Sequence, residues 1–171
     1  MAEPTTEERT SLTAYLREQA TKRSIEELIS RVQDAIDAVA TAAKQVPVER
    51  LSELGPGEGE MWTPVDCLKH IVDWNRICAQ QILYVALSGE LPEDMMPPAL
   101  PQTIDALVEF QQQAMDSLYA HVRDADPEAY LHVKWEHQFF GKLNWREWLI
   151  FLRVHCLDHA PQLKALSGIS N

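Results

Sequence analysis

Asn144-Trp145-Arg146-Glu147-Trp148-Leu149-Ile150-Phe151-Leu152-Arg153-Val154-His155-Cys156-Leu157-Asp158-His159-Ala160-Pro161-Gln162-Leu163-Lys164-Ala165-Leu166 reads as one amphipathic helix. Asn144 suits the capping position, and Glu147, three residues on, completes a capping box that satisfies amides a helix start leaves unpaired. Gly168 follows as a C-terminal stop. An α-helix advances about 100° per residue, which gathers Trp148, Leu152, His155, His159, Leu163 and Leu166 into one narrow stripe. The predicted helix, from Asn144 to about Leu166, carries two histidines one turn apart in the middle of its apolar face, so both imidazoles can point at the same spot.

Three more segments upstream carry the same signals. Ser24 and Glu27 form a capping box ahead of Ile25, Leu28, Ile29, Val32, Ile36 and Val39, which predicts a helix from Ser24 to Lys44. Thr63-Pro64, with Asp66 in the first turn, opens a second helix expected to run to about Leu87 and to stop at Gly89. A third is expected from Thr103 to Arg123, before Asp126-Pro127. Gly55-Pro56-Gly57-Glu58-Gly59 reads as a loop, as does the stretch containing Pro92, Pro97, Pro98 and Pro101. Leu12, Tyr15 and Leu16 form a weaker apolar patch, so residues 1–23 are expected to be a helical or flexible arm ahead of a bundle at 24–171. Residues 128–143 are aromatic and resist assignment, with a brief strand-like alternation only near Tyr130 to Trp135. Four long amphipathic helices predict an all-α, four-helix-bundle fold.

Composition narrows the function classes. The chain has 171 residues, of which 46% are apolar, enough for one domain with a real core. Its formal net charge is -11, and Lys22-Arg23 is its only adjacent basic pair. Binding to nucleic acid or to anionic membranes needs clustered cations, so neither is expected. No apolar run approaches the ~20 residues of a membrane span, and Met1 to Thr10 lacks the apolar region of a signal peptide. Cys67, Cys78 and Cys156 are an odd count at wide spacing, which does not suggest a disulfide framework; a reducing cytoplasm fits.

Two histidines on an apolar stripe require partners for their ring nitrogens. A metal ion is one reading of His155 and His159; a pair of core histidines bonded to other side chains is the other. His70 lies at the edge of the stripe Cys67, Ile71, Trp74, Cys78, Ile82 and Val85, where a ligand reaches a neighbouring helix and where ordinary half-exposed histidines also sit. His121, His132 and His137 are expected at the surface, although the last two lie where a pocket border is conceivable. Asp66 and Asp158 read as solvated carboxylates or as partners that orient an imidazole. Cys67 reads as a small core residue or a fourth ligand.

These patterns coincide with those of a known family. Trp62-Thr63-Pro64-Val65-Asp66-Cys67-Leu68-Lys69-His70-Ile71 resembles the tryptophan-to-histidine signature of the DinB/YfiT-like superfamily. His155-Cys156-Leu157-Asp158-His159-Ala160-Pro161-Gln162-Leu163 resembles its C-terminal signature, and Gly141 to Glu147 is similar to the turn that precedes the last helix there. The resemblance spans about Ser24 to Leu166. It implies an up-down-down-up bundle and a metal triad, carried by position onto His70, His155 and His159. Pro161 departs from an ideal helix interior, because it removes a backbone hydrogen bond.

The resemblance further implies one divalent ion, for which three neutral imidazoles suit Zn²⁺, Ni²⁺ or Fe²⁺. For some members it implies transfer or use of a low-molecular-weight thiol cosubstrate against a small electrophile. A metal-dependent hydrolase and a non-catalytic, metal-stabilised binding module are the alternatives. The expected partner is a small-molecule substrate, with a homodimer left open. Trp135, Phe139 and Phe140 are expected to form a lid, because their segment leads directly into the last helix.

Overall fold

The computed structural model describes residues 5–54, 62–93 and 99–168. The loop Gly55 to Gly59 and the pair Pro97-Pro98 lie outside the described residues. The described chain is mostly helical, with helices α1 (Thr6–Lys22), α2 (Ile25–Lys44), α3 (Pro64–Ser88), α4 (Ile104–Val122) and α5 (Trp145–Ser167). One hairpin, β1 (Lys134–His137) and β2 (Gly141–Asn144), is inserted ahead of α5. The helix ends follow the local chemistry that predicts them. Ser24 with Glu27 and Asn144 with Glu147 make reciprocal capping boxes. Thr63 and Thr103 accept amide hydrogens of their own first turns. Gly89 and Gly168 end α3 and α5 in the left-handed conformation that only glycine adopts without strain. α5 continues through Pro161, which lies on its exposed side.

The apolar stripes meet in one core. α2 packs on α5 and α4, α3 packs on α4 and α5, and α1 lies against α5. Leu28, Val32, Ile71, Ile82, Leu107, Leu118, Leu149 and Leu152 are among the residues buried between them. No described helix is long and apolar enough to cross a membrane. All three cysteines are buried, and none forms a disulfide.

Two regions hold structure that periodicity leaves undefined. The patch at Leu12, Tyr15 and Leu16 belongs to α1, a helix of its own with a Thr5–Glu8 capping box; an extended Arg23 separates it from α2. The aromatic connection is a hairpin whose strand begins at Lys134, later than the alternation near Tyr130 suggests. The reason is local: Tyr130 adopts φ 57 and its carbonyl accepts the Val133 amide at 2.9 Å, so a turn occupies the first part of that stretch.

Arg146, buried in the first turn of α5, joins these parts. Its guanidinium donates to the carbonyls of Ala20 (2.9 Å), Arg23 (2.7 Å) and Pro127 (3.2 Å). It thereby ties the end of α1, the junction with α2 and the chain after α4 to one point. Arg146→Ala leaves three carbonyls without their donor and is expected to destabilise the fold by about 2–4 kcal/mol in urea unfolding. Arg123→Ala removes only an exposed pair with Glu26 and is expected to cost under about 1 kcal/mol. Equal effects of the two changes would contradict this anchoring role.

Candidate metal centre

α3 and α5 bring His70, His155 and His159 together. One ring nitrogen from each lies within 4.8 Å of the others, forming a group that can hold a metal ion. The ring centroids stand 5.4, 5.0 and 4.8 Å apart, close to an equilateral triangle. His155 and His159 are buried and His70 is half-buried. Trp62 lies over His70 at 4.7 Å, and Phe151 stacks on His155 at 5.7 Å.

Two side-chain amides determine which way the lone pairs face. Nδ1 of His155 lies 3.0 Å from Oδ1 of Asn75, and Nδ1 of His159 lies 2.9 Å from Oε1 of Gln162. An amide oxygen only accepts, so each Nδ1 carries a hydrogen, and the lone pair of the neutral ring is left on Nε2. Asn75 is itself oriented, because its Nδ2 donates to Sγ of Cys156 at 3.2 Å. Nε2 of His155 faces Nε2 of His70 at 3.4 Å, and Nε2 of His159 is buried without a hydrogen-bond partner among the described residues. A cation relieves such a cluster of inward lone pairs. Metal–nitrogen distances of about 2.0–2.1 Å in a tetrahedral site place ligand nitrogens about 3.4 Å apart, which the His70–His155 pair matches.

A family model described as the DinB superfamily matches residues 55–163. The chain belongs to the DinB superfamily. No curated protein matches it. All three histidines of the cluster lie within the span matched to the DinB superfamily, whereas α1 precedes it.

A cavity of about 370 Å³ opens beside the triad. Trp74, Phe140 and Phe151 give it apolar walls, α1 contributes Glu8 and Leu12, and Asp158 lies at an exposed edge. Phe139 and Phe140 border the cavity as expected of a lid, but Trp135 does not. It sits at the base of the hairpin, stacked on Trp148 at 5.3 Å, with its indole N–H on Oε1 of Gln81.

The other candidates separate cleanly. His121 and His132 are exposed, as expected of them, but His137 is buried against the cavity. Strand alternation turns His137 inward with Trp135, among Phe140, Phe151 and Trp148. Asp66 is exposed and serves the N-cap of α3 through Thr63. Cys67 is a buried core residue outside the cluster. Asn75 and Gln162, the residues that orient the imidazoles, are neutral amides and carry no carboxylate signal in the sequence. The available signal for Asn75 was its place four residues after Ile71 and three before Cys78, a polar residue on an apolar stripe.

Burial holds the His155 imidazole well below its ordinary pKa of 6.5, helped by neighbouring His159, His70 and His137. Burial alone lowers His137 to about 4. Both rings are therefore neutral in the folded chain, while an unfolded chain takes up protons as soon as pH falls past 6.5. Their contribution to stability is complete above that pH and is lost as pH falls toward about 4. Urea midpoints of the metal-free protein are expected to decline from pH 7 to pH 4.5, and less steeply in His137→Phe. An identical pH slope in that variant would contradict the assignment.

Proposed function

We propose that this DinB superfamily chain is a metal-dependent enzyme acting on a small molecule, with one divalent ion (Zn²⁺, Ni²⁺ or Fe²⁺) held by His70, His155 and His159. The reading includes an up-down-down-up four-helix bundle formed by α2 to α5, with α1 added outside it. One observation carries the proposal: Nε2 lone pairs turned inward by Asn75 and Gln162 border an apolar cavity of ligand size. When bound, such an ion lowers the pKa of a thiol or water and so supplies a nucleophile at neutral pH.

The chain's own residues divide the remaining work. Asn75 and Gln162 keep the imidazoles in the binding tautomer. Trp74, Phe140 and Phe151 seat an apolar substrate and keep water from it. The protein's own cysteines are poor nucleophiles, since all three are buried and burial pushes the Cys156 thiol up to about 12. A low-molecular-weight thiol cosubstrate, attacking a small electrophile, therefore fits better than a protein thiol. With a net charge of -11, the partner proposed is a small molecule and not nucleic acid.

Protein purified without a histidine tag is expected to contain, or to take up, one equivalent of divalent metal by elemental analysis. A screen of low-molecular-weight thiols against small electrophiles is then expected to show turnover that a chelator removes. His155→Ala is expected to abolish both metal and turnover while circular dichroism keeps most of its helical signal. A folded wild-type chain that takes up no metal would overturn the proposal. Bound metal without turnover of any thiol or hydrolytic substrate would replace the enzyme with a metal-stabilised binding module.

A further inference from the structure

The hairpin tip supplies a second polar feature to the cavity. His137 pairs with Gly141 across the hairpin, so Gln138, Phe139 and Phe140 form its turn, with Gly141 at φ 68. Nδ1 of His137 accepts the backbone N–H of Phe139 at 3.1 Å. That bond occupies the lone pair of one nitrogen, so the hydrogen of the neutral ring sits on Nε2. The ring cannot easily turn, because it stacks on Phe140 at 4.5 Å and meets the edge of Phe151 at 4.4 Å.

His137 is 4% exposed and lines the cavity. The other polar lining residues outside the triad, Glu8, Gln138 and Asp158, are exposed. Glu8 is also engaged in the capping box of α1. Among the described residues the Nε2–H of His137 has no hydrogen-bond partner, and it is not one of the buried polar atoms left unpaired, so it keeps accessible surface for an acceptor. The Phe151 ring neighbours both His137 (4.4 Å between ring centroids) and His155 (5.7 Å), and all three line the same cavity.

We propose that His137 is a specificity-determining residue whose Nε2–H selects small molecules with a flat apolar body and a carbonyl-type acceptor oxygen. The flat body lies along Phe151 and Trp74, the acceptor meets His137, and the opposite end of the molecule meets the triad. This rests on reading the cavity as the substrate site, and it adds the chemical class of substrate. The neutrality that burial imposes on His137 keeps Nδ1 free to accept the Phe139 amide, which leaves the ring hydrogen on Nε2.

The test compares acetophenone, which has the acceptor, with ethylbenzene, which lacks it. Binding of both to the full chain is measured by ligand-observed NMR, with and without added Zn²⁺. The wild type is expected to prefer acetophenone by about fivefold to tenfold. His137→Gln puts an amide N–H near the Nε2 position and is expected to keep most of that preference. His137→Asn puts an amide oxygen near the Nδ1 position, which keeps the turn bond but removes the donor; its preference is expected to fall within about twofold of none. A preference kept by the Asn variant and lost by the Gln variant would assign His137 to the turn alone and overturn the proposal.

Both variants leave the triad intact, so Zn²⁺ uptake is measured alongside and is expected to match wild type. A wild-type chain that takes up no Zn²⁺ yet prefers acetophenone would sink the metal reading and leave this one standing. Should either variant fail to fold, the wild type still decides. Acetophenone must move the ¹⁵N resonance of His137 Nε2, and ethylbenzene must not. Equal movement, or none, overturns the proposal.

Discussion

His155 and His159 each donate Nδ1–H to a side-chain amide oxygen, of Asn75 at 3.0 Å and of Gln162 at 2.9 Å, and those two bonds give the site its chemical character. With the hydrogens committed outward, the lone pairs of Nε2 have only the space beside His70 to occupy. Such an arrangement is electrostatically incomplete, since buried acceptors need a donor or a cation. The buried Nε2 of His159, without a partner among the described residues, states that need most directly. Asn75 extends the relation into the core, where its amide N–H rests on the sulfur of Cys156, next in sequence to the histidine it orients. One helix of the core therefore sets the tautomer of a residue on another.

The cavity depends on elements added at the edges of the helical core. α1 and the hairpin together supply part of its wall, and both are tied to the start of α5. Arg146 holds the end of α1 and the chain after α4 by their carbonyls, while Trp145 donates its indole N–H to Ala129 at 2.8 Å. The first turn of α5 thus positions the cavity walls, and its later turns carry the histidines. This arrangement links packing to function: the helix that presents the imidazoles also anchors the groups that surround a ligand.

Helix ends and apolar stripes were legible because they are local. A capping box spans three residues and a stripe repeats every turn, so Ser24, Thr63, Thr103, Asn144, Gly89 and Gly168 mark boundaries the structure keeps. The convergence of His155 with His159 follows from one helical turn, while His70 joins them only through the packing of α3 on α5, for which the family resemblance was the guide. What stayed hidden depends on long-range or irregular structure. The hairpin begins after a left-handed Tyr130, which no alternation reveals. The burial of His137 follows from the alternation of a short strand that faces it toward α5, and composition alone places it at the surface as readily. Asn75 is the partner of a residue 80 positions away, and neutral amides do not announce themselves as carboxylates do.

The central claim, that amide acceptors turn imidazole lone pairs inward to receive a cation, is open to direct observation. Long-range ¹H–¹⁵N correlation spectra report which nitrogen of each imidazole bears a hydrogen. In the metal-free chain, His155 and His159 should both carry a hydrogen on Nδ1, and added Zn²⁺ should move their Nε2 resonances and that of His70 while leaving the Nδ1 hydrogens in place. Rings of His155 and His159 without a hydrogen on Nδ1, or Nε2 resonances unchanged by Zn²⁺, would contradict the account.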